Sequence, residues 1–144
     1  MELQVVVFRL ADEDYGVPIE QVREINRLVP ITAVPKAPAS VLGVINLREQ
    51  IIPVVSLRER FGFAREANDD ATRIVVSEVG GQTVGFVVDS VNEVLRLGEE
   101  AIEPAPPSTA GVDSAFIKGI GRLGDRLIIM LDLERIFDFS TPNA

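Results

Sequence analysis

The chain has 144 residues, 47% of them hydrophobic, with 14 basic and 22 acidic side chains, no histidine and no cysteine. Without thiols it can form no disulfide, zinc–thiolate site or cysteine nucleophile; without histidine it lacks the commonest general base. A formal net charge of −8 argues against a general nucleic-acid binder, whose affinity rests on phosphate neutralisation.

The length suits one ordinary domain or two very small ones. No apolar run approaches the span of a bilayer, and Met1-Glu-Leu-Gln4 does not read as a signal peptide, which sets the expectation of a cytosolic protein.

Taken in order, Gln4 to Leu10 reads as a strand, followed by a polar turn at Ala11-Asp-Glu-Asp14 and a second strand from Tyr15 to Ile19. Glu20 to Leu28 is ambiguous: Val22 and Ile25 fit a helical pair, yet the segment also fits an irregular strand edge. Pro30, Pro35 and Pro38 punctuate an extended segment, because proline cannot donate to a ladder. Val44 to Leu47 and Ile51 to Val55 are short β-branched runs on either side of Arg48-Glu-Gln50, the pattern of a tight hairpin. Ser56-Leu-Arg-Glu59 then has capping-box spacing, with the Ser56 hydroxyl placed to accept from the Glu59 amide and the Glu59 carboxylate to reach back.

Arg65 to Ala71 is a charged connection. Arg73 to Val79 and Thr83 to Asp89 form a hairpin over Gly80-Gly81, a strong two-residue turn signal. Val91 to Leu97 repeats the ambiguity of 20–28, and 103–111 is a loop by composition.

The chain is internally repeated. Gly43 to Phe61 lies without gaps over Gly119 to Phe137, pairing Gly43 with Gly119, Ile52 with Ile128 and the helix cap Ser56 with Asp132. Upstream, Tyr15 to Leu28 lies over Val84 to Leu97, with Gly16, Val22, Glu24, Arg27 and Leu28 matched by identical residues. The copies run over about 4–66 and 72–138, strands can be exchanged between them, and 140–144 is expected to be a flexible tail. Either copy alone would bury only about 60% of its unfolded surface, so the two are expected to share a core within one domain over 1–139. Many short strands with brief helices give a mostly-β class, two small barrels side by side.

Gly119-Ile-Gly-Arg-Leu-Gly124 matches the dinucleotide fingerprint literally, but that motif needs a helix to start in its glycine turn, and here a strand is expected. The carboxylates are scattered along turns without metal-loop spacing. The sequence therefore points to a non-enzymatic interaction protein with no cofactor and no metal. Val22, Glu24 and Ile25 mark a candidate exposed strand edge, and Arg48 offers a guanidinium fork at a hairpin tip.

Pro35-x-x-Pro38, Gly43-Val-Ile-Asn-Leu-Arg48 and Ile52-Pro-Val-Val-Ser-Leu-Arg58 resemble the signature of the CheW coupling-protein family, as do Tyr15-Gly-Val17, Gly85-x-Val-Val-Asp89 and Gly119-x-Gly121 with Asp125-Arg126. The resemblance covers about 2–138. It implies two SH3-like five-stranded β-barrel subdomains with a core between them. It also implies an adaptor joining the regulatory domain of a CheA-type histidine kinase to chemoreceptor cytoplasmic tips, in the cytoplasm at receptor arrays, with no nucleic acid and no membrane insertion. Residue by residue, Val22, Glu24, Ile25 and Gly43 take kinase-docking positions, and Arg48, Val91 and Val94 take receptor-side or groove positions. A stand-alone β-barrel module binding RNA or a small ligand is the alternative reading. Two positions depart from the family. Glu49 stands where glycine is usual, with an expected strain of about 1–2 kcal/mol if the turn needs φ > 0. Ser56 stands where aspartate is usual, and both cap helices.

Overall fold

A computed structural model describes residues 1–64 and 66–139; the expected tail at 140–144 lies outside the described residues. In order they form β1 (Glu2–Leu10), β2 (Glu13–Pro18), β3 (Val22–Arg27), β4 (Val41–Leu47), β5 (Gln50–Ser56), α1 (Leu57–Arg60), β6 (Arg73–Val79), β7 (Gln82–Val88), β8 (Ser90–Gly98), β9 (Ile102–Glu103), β10 (Ser108–Thr109), β11 (Val112–Asp113), β12 (Ile117–Leu123), β13 (Arg126–Leu131) and α2 (Leu133–Ile136). Both ambiguous segments are strands, β3 and β8.

Four hairpins turn on two residues of positive φ, the signature of the turn whose twist matches paired strands. These are Ala11 and Asp12 (50° and 68°), Arg48 and Glu49 (51° and 66°), Gly80 and Gly81 (57° and 82°), and Ala110 and Gly111 (53° and 80°). Both helices start at their expected caps: Ser56 Oγ accepts from the Glu59 amide, and Asp132 Oδ1 from the Arg135 amide, each at 3.3 Å. The reciprocal half of the capping box is not needed. The Ser56 amide donates to the Ser40 carbonyl at 2.8 Å, so the incoming strand already satisfies it.

The strands make two main sheets, ordered β8-β1-β2-β13-β12-β9 and β3-β6-β7-β5-β4, with β10 and β11 paired apart. The short strand β9 adds a sixth member to the first sheet. Each sheet combines both sequence copies. The first hairpin of each copy is inserted into the other copy's strands, β1–β2 between β8 and β13 and β6–β7 between β3 and β5. The second strand of each hairpin pairs in parallel, β2 with β13 and β7 with β5. Bulges recur at equivalent places, between Val22 and Glu24 in β3 and between Val41 and Gly43 in β4, with counterparts in β8 and β12.

The inserted hairpins are buried on both faces, which is why their sequences read as nearly continuous apolar runs rather than alternating ones. In β1, Val5 and Val7 join Leu97, Ile128 and Met130 in a core belonging to the first sheet. Ile45, Ile52, Val54, Ile74 and Val76 form the matching core of the second. The opposite faces meet between the sheets, where Val6, Phe8, Leu10 and Tyr15 pack with Leu57, Phe61, Val75, Phe86, Ile129, Leu131 and Leu133.

Candidate docking site

Strand β3 ends the second sheet and, among the described residues, pairs only with β6. Its register sets Val22 opposite Ser77, Glu24 opposite Val76 and Ile25 opposite Val75, with Arg23 as the extra residue of the bulge. A bulge shifts the alternation by one residue. Val22 and Ile25 therefore share the face of Val75 and Ser77, toward the core between the sheets, while Glu24 turns to the opposite face with Val76. On the strand edge expected from the sequence, Glu24 has Val22 and Ile25 as its apolar neighbours; in the structure the bulge separates it from both. Val22 is half-buried at the rim of the central core, and Ile25 remains 39% exposed.

Glu24 is not an open carboxylate. Its Oε1 lies 3.3 Å from Arg48 Nη2, with the Glu24 side chain 22% and the Arg48 side chain 80% exposed. The pair spans from the edge strand to the tip of the β4–β5 hairpin and borders a polar cavity of about 320 Å³ lined by Leu47, Gln50, Ile52, Val76 and Thr83 as well. Arg23 lines it too, tied to Glu78 at 3.0 Å and donating to Thr83 Oγ1 at 3.0 Å. Two residues assigned by resemblance to different partners, Glu24 and Arg48, thus form one ion pair.

Gly43 is buried. Its φ is 148°, and a Cβ there would stand 2.0 Å from the Thr32 carbonyl oxygen. The glycine lets the segment before β4 cross close enough for Thr32 and Val44 to exchange backbone hydrogen bonds of 2.9 and 2.8 Å. It acts on the surface only through that segment.

The second sheet's arrangement recurs in the first. In β8, Val91 lies opposite Phe8, Glu93 opposite Val7 and Val94 opposite Val6. Val91 and Val94 thus face the central core's side and Glu93 the other. Val91 packs at the core rim, and Val94 is 50% exposed. Glu93, the repeat counterpart of Glu24, pairs with Arg126 Nη1 at 2.8 Å; Arg126 also reaches Asp14 at 3.2 Å. These carboxylates, Glu93 first, raise the Arg126 pKa. Sequence reasoning missed Arg126 as the partner because it stands two residues beyond the counterpart of Arg48, which is Gly124. The signal was the identity of Glu24 and Glu93 across the copies. It also missed Ile51 and Leu127, equivalent positions that are 62% and 50% exposed.

The glycine-rich stretch 119–124 lies in β12 and its hairpin turn, so no helix start faces a phosphate there. Every aromatic side chain is buried or half-buried, which leaves no stacking platform for bases.

A protein-family model described as "CheW-like domain" matches residues 4–140. The chain belongs to the CheW-like family. It is 36% identical over 131 residues to the chemotaxis protein CheW of Klebsiella aerogenes, covering 91% of this chain and 79% of that one. Against CheW of Helicobacter pylori it is 37% identical over 134 residues, covering 93% and 81%. The crystal structure of the scaffolding protein TtCheW from Thermoanaerobacter tengcongensis superposes with a TM-score of 0.91 at 41% identity, over 97% of this chain and 95% of that one. As a CheW-like protein the chain is a chemotaxis scaffold and not an enzyme. No helix among the described residues is long and apolar enough to cross a membrane.

Proposed function

We propose that the chain couples a CheA-type histidine kinase, through its regulatory domain, to the cytoplasmic tip helices of chemoreceptors, working in the cytoplasm at receptor arrays. The observation that carries this reading is the Glu24–Arg48 pair at the open edge of β3, whose opposite face carries Val22 and the exposed Ile25. An unpaired strand edge with apolar side chains and a fixed, mostly exposed guanidinium suits a protein partner: the apolar groups supply buried area and the charges fix register. Gly43 contributes by holding the segment beside β4. Val91 and Val94 stand on the intersheet side of β8, suited to the apolar face of a receptor helix laid in a groove, and Arg48 offers its guanidinium at the tip of the β4–β5 hairpin.

Glu24→Lys sets two cations against each other and is expected to cost about 3 kcal/mol in kinase binding, roughly a hundredfold in affinity. Val22→Asp acts similarly, whereas Glu99→Lys, in the helical turn that follows β8, leaves binding unchanged. The double exchange Glu24→Lys with Arg48→Glu restores the internal ion pair with reversed polarity. If it also restores the fold but not kinase affinity, the partner reads the charges directly. Measuring affinity for the kinase regulatory domain and for a receptor tip fragment, with melting temperature alongside, decides the matter. Wild-type kinase affinity in folded Glu24→Lys refutes the assignment.

A further inference from the structure

Four strand pairings and all three cores join one sequence copy to the other. Strand β1 pairs along its length with β8, β3 with β6, β2 with β13 and β5 with β7. The central core draws Val6, Phe8, Tyr15 and Leu57 from the first copy and Phe86, Ile129, Leu131 and Leu133 from the second. The chain crosses from the first copy to the second only once, between α1 and β6, and the described residues of that crossing contain neither helix nor strand.

The crossing is lightly held. Phe61 is buried and Phe63 packs at the core rim, while Thr72 is buried at the far end and held to Asp69 by the Thr72 amide at 3.1 Å. Between these anchors, Glu66 to Ala71 are exposed. Glu66 reaches Arg58 only at 3.7 Å, with its own side chain 69% exposed.

We infer that the second copy can be supplied in trans by another molecule of this chain, giving a reciprocal dimer in which each half-chain completes the other molecule's sheets. Such a dimer keeps every strand pair and every core contact described above; only the exposed part of the crossing changes course. What favours the closed monomer is the effective concentration that a short tether confers, which is in the millimolar range. Refolding at comparable protein concentration therefore populates the dimer, and shortening the tether raises its share.

The test uses the full chain. It contains no cysteine, so Gln4→Cys with Arg96→Cys introduces a single pair. These exposed residues lie opposite each other across β1 and β8, at a spacing an antiparallel pair shares with disulfides. The disulfide joins first copy to second. In a closed monomer it is intrachain, and in the exchanged dimer interchain.

The double-cysteine chain is unfolded, refolded at about 1 mM, oxidised, and followed by light scattering and non-reducing denaturing electrophoresis. The expected result is a dimer of at least about a tenth of the chains that stays covalent in detergent, because its two disulfides tie the two molecules together. Removing residues 66–68 should raise that fraction severalfold. Monomer alone from the full-length chain at 1 mM overturns the inference. So does a dimer that detergent separates into internally linked monomers, which would mean ordinary surface association. The full-length arm decides even if the shortened chain does not fold.

Discussion

Arg58 holds Asp89 with two hydrogen bonds, Nε to Oδ1 at 3.0 Å and Nη2 to Oδ2 at 2.6 Å, while Oδ2 also accepts from the Ala11 amide at 3.0 Å. The repeat counterparts of these residues are Glu134 and Glu20, so the device exists in only one half of the molecule. It fastens α1 to the start of β8 and pins the β1–β2 turn, whose residues Ala11 and Asp12 are both at positive φ.

Burial alone would raise the Asp89 pKa, but the Arg58 and Ala11 hydrogen bonds outweigh it and hold the carboxyl below its usual range. A depressed folded pKa contributes stability that is present above the unfolded value, near 4, and lost as pH falls through the folded one. Asp89→Asn should cost about 1–2 kcal/mol at neutral pH, less than a fully buried pair because Asp89 is partly exposed. Urea midpoints between pH 5 and 2 should then fall less steeply for the variant than for the parent. Equal slopes would remove Asp89 from the account of acid stability.

Tyr15 supplies the opposite slope. Its hydroxyl is buried in the central core with no hydrogen-bond partner, and burial, aided by Glu13, pushes its pKa up to about 12. The unfolded chain loses the proton near 10, so stability is complete below pH 10 and declines as pH rises toward 12, by up to about 3 kcal/mol. Tyr15→Phe discards an unpaired hydroxyl and should be neutral or stabilising at pH 7. It should also abolish most of the alkaline decline seen by circular dichroism.

Glu49 carries the strain expected of a side chain where glycine is usual, at φ 66° behind Arg48 at 51°. Glu49→Gly should raise stability by about 0.5–1 kcal/mol, the relief of a left-handed side chain less the entropy glycine adds to the unfolded chain. Thermal denaturation of the single variant checks this, and a lower melting point contradicts it.

Gly43→Ala is expected to be the most damaging of these substitutions, costing about 3 kcal/mol or more, because a methyl 2.0 Å from the Thr32 carbonyl forces two backbones apart. Amide exchange should show Thr32 and Val44 losing protection first. Local loss there with the central core intact would locate the damage as argued.

Much of the fold could be read locally. The Gly80-Gly81 turn, the caps at Ser56 and Asp132 and the repeat itself depend on residues a few positions apart, where side-chain chemistry and backbone preference act directly. The residues of β3 and β8 fit helix and strand equally in sequence because the bulges at Arg23 and Asn92 break the two-residue alternation by which a strand is recognised. The same bulges decided which face Glu24 and Glu93 take, and so which arginine each meets. Membership of the sheets was settled only in three dimensions. The hairpins β1–β2 and β6–β7 have similar apolar patterns on both faces, so either satisfies the edges offered by either copy's remaining strands. Only the packing of Phe8, Tyr15 and Phe86 against the two short helices in one shared core fixes each hairpin in the other copy's sheet.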